Sequence, residues 1–168
     1  MAMIRIGNWK GAQQVALKMH KTFVADKRYL PWAAMCALLQ AQDPLTSPQM
    51  KEIVLSLALR LFENIPLTVE GQSNVYDPDR VCLLLEIYTT FETPRWEAAF
   101  EVLDKAPVRS LCETSLAVDE YRRRVFDHLK KYSEEASLCM GRLEAGSVWK
   151  VASRLVSDSR LALGAAIG

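Results

Sequence analysis

A chain of 168 residues is long enough for one compact core, and a formal net charge of +1 leaves no global basic field of the kind that nucleic-acid-coating proteins carry. Half of the residues are apolar and 24% are charged, the balance of a soluble globular protein, which excludes a disordered or fibrous chain. The four cysteines, Cys36, Cys82, Cys112 and Cys139, lie far apart among apolar residues and form no Cys-x-x-Cys, so they read as small core side chains in a reducing compartment.

The opening Met1-Ala2-Met3-Ile4-Arg5-Ile6 is too short an apolar run for a signal-peptide core, and nowhere do 18 apolar residues follow one another. No membrane span and a cytoplasmic location are expected. From about 8 to 24, Trp9, Ala12, Val15, Ala16, Met19 and Phe23 form one stripe, opposite Lys10, Gln13, Gln14, Lys18 and Lys21, and predict an amphipathic helix. A second runs from Leu30 to Gln42 through Trp32, Met35, Cys36 and Leu39, with Pro31 in its first turn, where a missing N–H costs nothing. Asp43-Pro44-Leu45 breaks it.

Thr46 and Gln49 fit a capping box for a third helix reaching Asn64. Its apolar arc is wide, since Leu55, Leu59 and Phe62 flank the stripe of Met50, Ile53, Val54, Leu57 and Leu61, and that width predicts burial on two sides. Ile65 to Tyr76, with Pro66, Gly71, Ser73 and Asn74 and no period, reads as an exposed loop. Asp77-Pro78-Asp79 caps the next helix, patterned by Val81, Leu84, Leu85, Tyr88 and Phe91. Thr93-Pro94 starts another through Trp96, Ala99, Phe100 and Leu103, and the two are expected to pair as a hairpin. Pro107 ends that helix. A longer one is predicted from Leu111 to Tyr132, with Val118, Tyr121, Val125, Leu129 and Tyr132 facing inward, then a pair over Glu134 to Glu144 and Trp149 to Leu163. No sustained alternation of apolar and polar residues suggests a strand.

Three of these helices open on Trp followed by Ala three residues later: Trp9/Ala12, Trp96/Ala99 and Trp149/Ala152, each preceded by turn residues. Such a pair shares a helix face, the large ring filling a gap and the small Ala admitting a neighbouring backbone. This pattern resembles the second helix of a tetratricopeptide-type repeat. The copies start 87 and 53 residues apart, neither a multiple of the regular period of about 34 residues. The expected fold is therefore all-α, with irregular tetratricopeptide-like helical hairpins stacked as an α-solenoid in a single domain over residues 1–168.

In this order the motifs resemble the N-terminal helical-repeat region of the non-catalytic, auxiliary subunit of the N-terminal acetyltransferase B complex. The likeness lies in Gly7-Asn8-Trp9-Lys10-x-Ala12, in Ile53-Val54-Leu55-Ser56-Leu57-Ala58 with Arg60-Leu61, and in the hairpin from Leu83 to Leu103, where Glu97, Ala98, Val102 and Leu103 occupy similar positions. Thr93-Pro94-Arg95 and Trp96 stand where that family has a Gly-containing turn and Tyr. The resemblance implies a scaffold that wraps a catalytic acetyltransferase subunit and helps place it near the ribosome. The catalytic partner, not this chain, would bind acetyl-CoA and acetylate N-termini such as Met followed by Asp, Glu, Asn or Gln. Family members are several times longer, so a fragment of a longer solenoid is expected.

Chemistry of its own is not advertised. His20 and His128 sit beside lysines as surface histidines, no nucleophile–base spacing or metal-ligand spacing is present, and the seven glycines form no phosphate loop. No catalytic residue, metal or cofactor is expected, and no DNA partner. One cluster stands out, with Arg122, Arg123, Arg124, Lys130 and Lys131 in ten positions of one helix. Two readings are open: a contact with ribosomal RNA or an acidic partner, or a solvated face paired with Asp119, Glu120 and Asp127. In the same fold class, a generic adaptor of another cytosolic assembly is the alternative to the acetyltransferase scaffold.

Overall fold

The computed structural model describes residues 7–140, with side-chain surroundings through residue 131. Among the described residues the chain is all-α, with seven helices and one isolated antiparallel bridge, Thr68 to Tyr76. It divides into two compact units, Met1–Arg95 and Trp96–Gly168.

The first unit holds α1 (Trp9–Thr22), α2 (Tyr29–Gln42), α3 (Pro48–Phe62) and α4 (Pro78–Thr90). α2 is its centre and packs against each of the other three. Its sequence explains why. Ala33, Ala34, Ala37 and Ala41, with Cys36, are buried on several sides of the helix, and such small side chains let three neighbours approach closely. Leu30 and Leu38 supply bulk, each burial contributing about 1.5–3 kcal/mol. Leu55, Ala58 and Val54 of α3 and Ile87 of α4 close the same cluster, with Ile65 and Phe91 at its ends.

This arrangement corrects the expectation that α3 is the doubly buried helix. α3 turns Val54, Leu55 and Ala58 inward and leaves Met50, Ile53 and Leu57 exposed, Ile53 by 61%. The Leu-rich helix has more apolar surface than its neighbours cover; the Ala-rich helix is approached by three neighbours and stays open at Trp32. α1 is rotated relative to the expected stripe as well. Ala16 is buried, while Val15 and Phe23 face solvent and Gln13, assigned to the polar side, is buried. Its amide Nε2 donates to the Ala33 carbonyl of α2 at 3.4 Å, which satisfies the group inside.

Capping sets the ends. Asn8 Oδ1 accepts from Gly11 N at 2.9 Å, and a Cβ on residue 11 would lie 2.6 Å from the Asn8 side chain, so Gly11 makes room for the cap. The cap of α3 is Ser47, accepting from Met50 N at 3.3 Å, one residue later than the box expected at Thr46. The Thr46 hydroxyl instead donates to the Gln40 carbonyl at 2.6 Å. Pro48 and Pro78 occupy the first turns of α3 and α4, and Asp77 accepts from Asp79 N at 2.9 Å.

Residues 65–76, expected to be an exposed loop, are exposed from Glu70 to Val75 and form a small closed hairpin. Val69 N donates to Val75 O at 2.7 Å and Asp77 N to Leu67 O at 2.8 Å. Gln72 N reaches Val69 O at 3.0 Å around Gly71, whose φ of +78° suits the third position of a type II turn. Arg80 pins the base, its Nη1 donating to the carbonyls of Pro66 at 2.8 Å and Thr68 at 3.1 Å.

The second unit holds α5 (Trp96–Leu103), α6 (Ala106–Thr114) and α7 (Leu116–Met140), with α7 packed against both shorter helices. Ala99, Phe100, Val102, Leu103, Val108, Val118 and Val125 are its buried apolar residues. The hairpin expected from Leu83 to Leu103 straddles the division between the units, and within the second unit α5 packs on α6 and α7. Pro107 does not simply end a helix but sits in the first turn of α6. The expected helix from Leu111 is split at Ser115, which leaves helical backbone and whose Oγ accepts from Val118 N at 3.4 Å. No break occurs near Ser133, and α7 is continuous to Met140. Cys139, Glu144 and the helix expected over Trp149 to Leu163, including Trp149 and Ala152, lie outside the residues whose side chains are described.

Candidate interaction surfaces

Trp9 and Trp96 are the first residues of α1 and α5, and both rings are half-buried. Ala12 is half-buried and Ala99 fully buried. The Trp96 ring stacks on the exposed His128 of α7, centroids 4.4 Å apart and planes within 22°, so one side of it meets a side chain open to solvent. His20 is half-buried, and its Nδ1 has no hydrogen-bond partner among the described residues.

The basic cluster is divided by the helix that carries it. Asp119 holds two of its members, with Arg122 Nε 3.4 Å from Oδ1 and Arg123 Nη2 2.7 Å from Oδ2. These are i,i+3 and i,i+4 pairs, the spacings at which side chains on a helix meet. The Arg122 contact has the distance of an ion pair without the alignment of a hydrogen bond. Arg122 also lies over the Phe126 ring and Arg124 over Tyr121, 5.4 and 5.3 Å from the centroids. Lys130 and Lys131 are exposed and form no ion pair among the described residues.

A third surface escaped the reading of the sequence. Where α1 turns into α2, Phe23, Tyr29 and Trp32 form an aromatic ladder, with centroids 6.4 Å apart for the first pair and 5.5 Å, edge to face, for the second. Phe23 and Trp32 are 50% and 41% exposed, beside the exposed Val24. Helical periodicity placed Phe23 and Trp32 on inward stripes; the signal for the opposite was the density of Lys21, Lys27 and Arg28 around them. Asp26 braces the turn through a two-oxygen pair with Arg28, 2.9 Å to Nε and 2.6 Å to Nη2. The Arg28 side-chain hydrogen bonds, followed by its backbone N–H, hold the Asp26 carboxyl down at about 2.

Next to this turn is an open cavity of about 330 Å³, lined by Lys27, Pro66, Arg80 and the tip of the 65–76 hairpin, including Glu70. Arg80 is spoken for by its two carbonyls and by Asp77 at 3.5 Å, whereas Lys27 has no ion pair or hydrogen bond among the described residues.

The thiols are placed for packing rather than reaction. Burial raises the pKa of Cys36 and Cys112, and burial with the nearby Asp79 and Glu86 carboxylates raises Cys82 to about 11, which keeps all three protonated at neutral pH. Among the described residues no group of His, Cys, Asp or Glu is arranged to hold a metal ion, and no helix is long and apolar enough to cross a membrane.

Packed helices that leave apolar and aromatic faces uncovered define a protein of the helical-repeat interaction class. Over residues 1–143 the chain matches the family described as Psidin, N-terminal TPR repeats region, and it belongs to that family. No curated protein and no solved structure gives a significant match.

Proposed function

We propose that the chain is a non-catalytic scaffold subunit that supports N-terminal protein acetylation in the cytoplasm, binding the catalytic subunit of the acetyltransferase B complex and, through the α7 basic face, the ribosome. The observation that carries this reading is the ordered resemblance of its motifs. Much of it falls on packing positions: Leu55 and Ala58 of α3 and Val102 and Leu103 of α5 are buried. Membership of a tetratricopeptide-type family supports a protein partner.

Co-expression with the catalytic subunit, followed by pull-down and an acetylation assay on a Met-Asp peptide, tests it. Co-purification with stimulated acetylation is the expected outcome. A folded chain that neither co-purifies nor stimulates would move the reading to an adaptor of another cytosolic assembly. Ribosome pelleting at rising salt tests the α7 face separately, since phosphate contacts weaken with ionic strength.

A further inference from the structure

The aromatic ladder leaves much of Phe23 and Trp32 open to solvent, and with the open cavity beside it has the chemistry of a docking site. We propose that Phe23, Tyr29 and Trp32, with Lys27 at the neighbouring cavity, bind a protein segment that presents apolar side chains next to a single carboxylate. The proposal rests on the scaffold reading only in requiring a protein partner, not in the partner being an acetyltransferase.

Exposed aromatic rings bury a large area at small entropic cost and are the commonest anchors of protein interfaces. Here Phe23 and Val24 on the turn and Trp32 at the start of α2 face solvent, and the Asp26–Arg28 pair braces the turn between them. Charge then selects the occupant. Between Lys18 and Trp32 the chain carries four basic residues, Lys18, Lys21, Lys27 and Arg28, against Asp26 alone, so the rim favours an acidic partner. At the cavity Arg80 is engaged by two carbonyls and Asp77, while Lys27 has no ion pair among the described residues.

Glu70 on the same cavity narrows the choice further. One carboxylate on Lys27 can be accommodated beside it. A phosphodiester chain would set further negative charges against Glu70, a cost that a lone carboxylate avoids, although aromatic rings and lysines are also what a single-stranded nucleic acid uses. The observations therefore favour an acidic, apolar peptide over RNA.

The test uses the whole 168-residue chain and a fluorescent pool of roughly twelve-residue peptides that each set one Asp or Glu among Leu, Ile, Phe and Ser, with a matched pool in which Lys or Arg replaces the acid and an oligouridine of similar length. Expected are anisotropy changes with the acidic pool alone and NMR shifts at the Trp32 indole. Affinity should fall about tenfold in Lys27→Glu and in Phe23→Ser, and rise a few-fold in Glu70→Gln. All three replaced side chains lie outside the core, and unchanged circular dichroism confirms that the variants fold. Three results would each overturn the proposal: no binding of the acidic pool, binding indifferent to Lys27→Glu, or oligouridine binding at the same residues. Retention of the acetyltransferase subunit by a Phe23→Ser/Lys27→Glu double variant would leave the scaffold reading standing whichever way the peptide result falls.

Discussion

α2 and α3 lie side by side in the first unit, and their fates are the reverse of what their large apolar side chains suggest, because α2 carries no charged residue while α3 carries Lys51, Glu52 and Arg60. α3 is crowded with Leu, Ile, Val and Met and still exposes Met50, Ile53 and Leu57, whereas α2, built largely on Ala, is enclosed by α1, α3 and α4. The difference teaches that in stacked hairpins size governs position. A helix with small side chains can be approached from three directions, and a helix with large ones keeps its neighbours at a distance and covers one flank only.

The contrast can be broken most severely at the contact itself. Leu55→Ala, at a side chain with no exposed surface, should cost about 3 kcal/mol, read as a lowered urea midpoint; a loss below about 1 kcal/mol would mean that the inner flank of α3 is not core. Overpacking the other partner is the next test. Ala37→Leu should cost about 2 kcal/mol because three helices must separate to admit it, while Ile53→Ser, on the open flank of α3, should stay within about 0.5 kcal/mol. Equal losses at 37 and 53 would erase the distinction. Ser47→Ala should remove about 1 kcal/mol, and Thr46→Ala in parallel would show whether the cap sits where the structure puts it.

The smallest effect concerns the turn leading into α2. Because Arg28 depresses Asp26 below its ordinary 3.8, the stabilisation from this pair is fully present above about pH 4 and fades as pH falls toward 2. A carboxyl-carbon NMR titration should place Asp26 near 2, and Arg28→Gln should return it toward 3.8.

Fold class was legible because helix signals are local. Asp77-Pro78, Pro48 and the apolar spacing of α4 fix helices whatever surrounds them. What was not legible depended on neighbours. Which face of α1 turns inward follows from the small residues of α2, which no periodicity in α1 encodes, and so Gln13 and Phe23 were assigned to the wrong sides. The split at Ser115 was available in principle, since a Ser before Leu-Ala-Val can act as a cap, but the apolar period runs across it without a slip. The 65–76 hairpin was hidden for a related reason: its order comes from Gly71 and from Arg80 reaching back, a turn and a distant side chain rather than a strand pattern. Of the interaction surfaces, the α7 charges were visible in composition. The aromatic ladder was not, because aromatic residues at helical spacing describe a core and a docking surface equally well.

Gln13 carries a further consequence. An apolar seam between two helices is nearly indifferent to sliding, since one turn of Ala and Leu looks much like the next. A buried amide is not indifferent: moved by about half a helical turn, it would leave the Ala33 carbonyl and stand unpaired at a cost of about 1–3 kcal/mol. Gln13 therefore acts as a detent between α1 and α2, adding little to the strength of their association but favouring settings in which a carbonyl of α2 faces the amide.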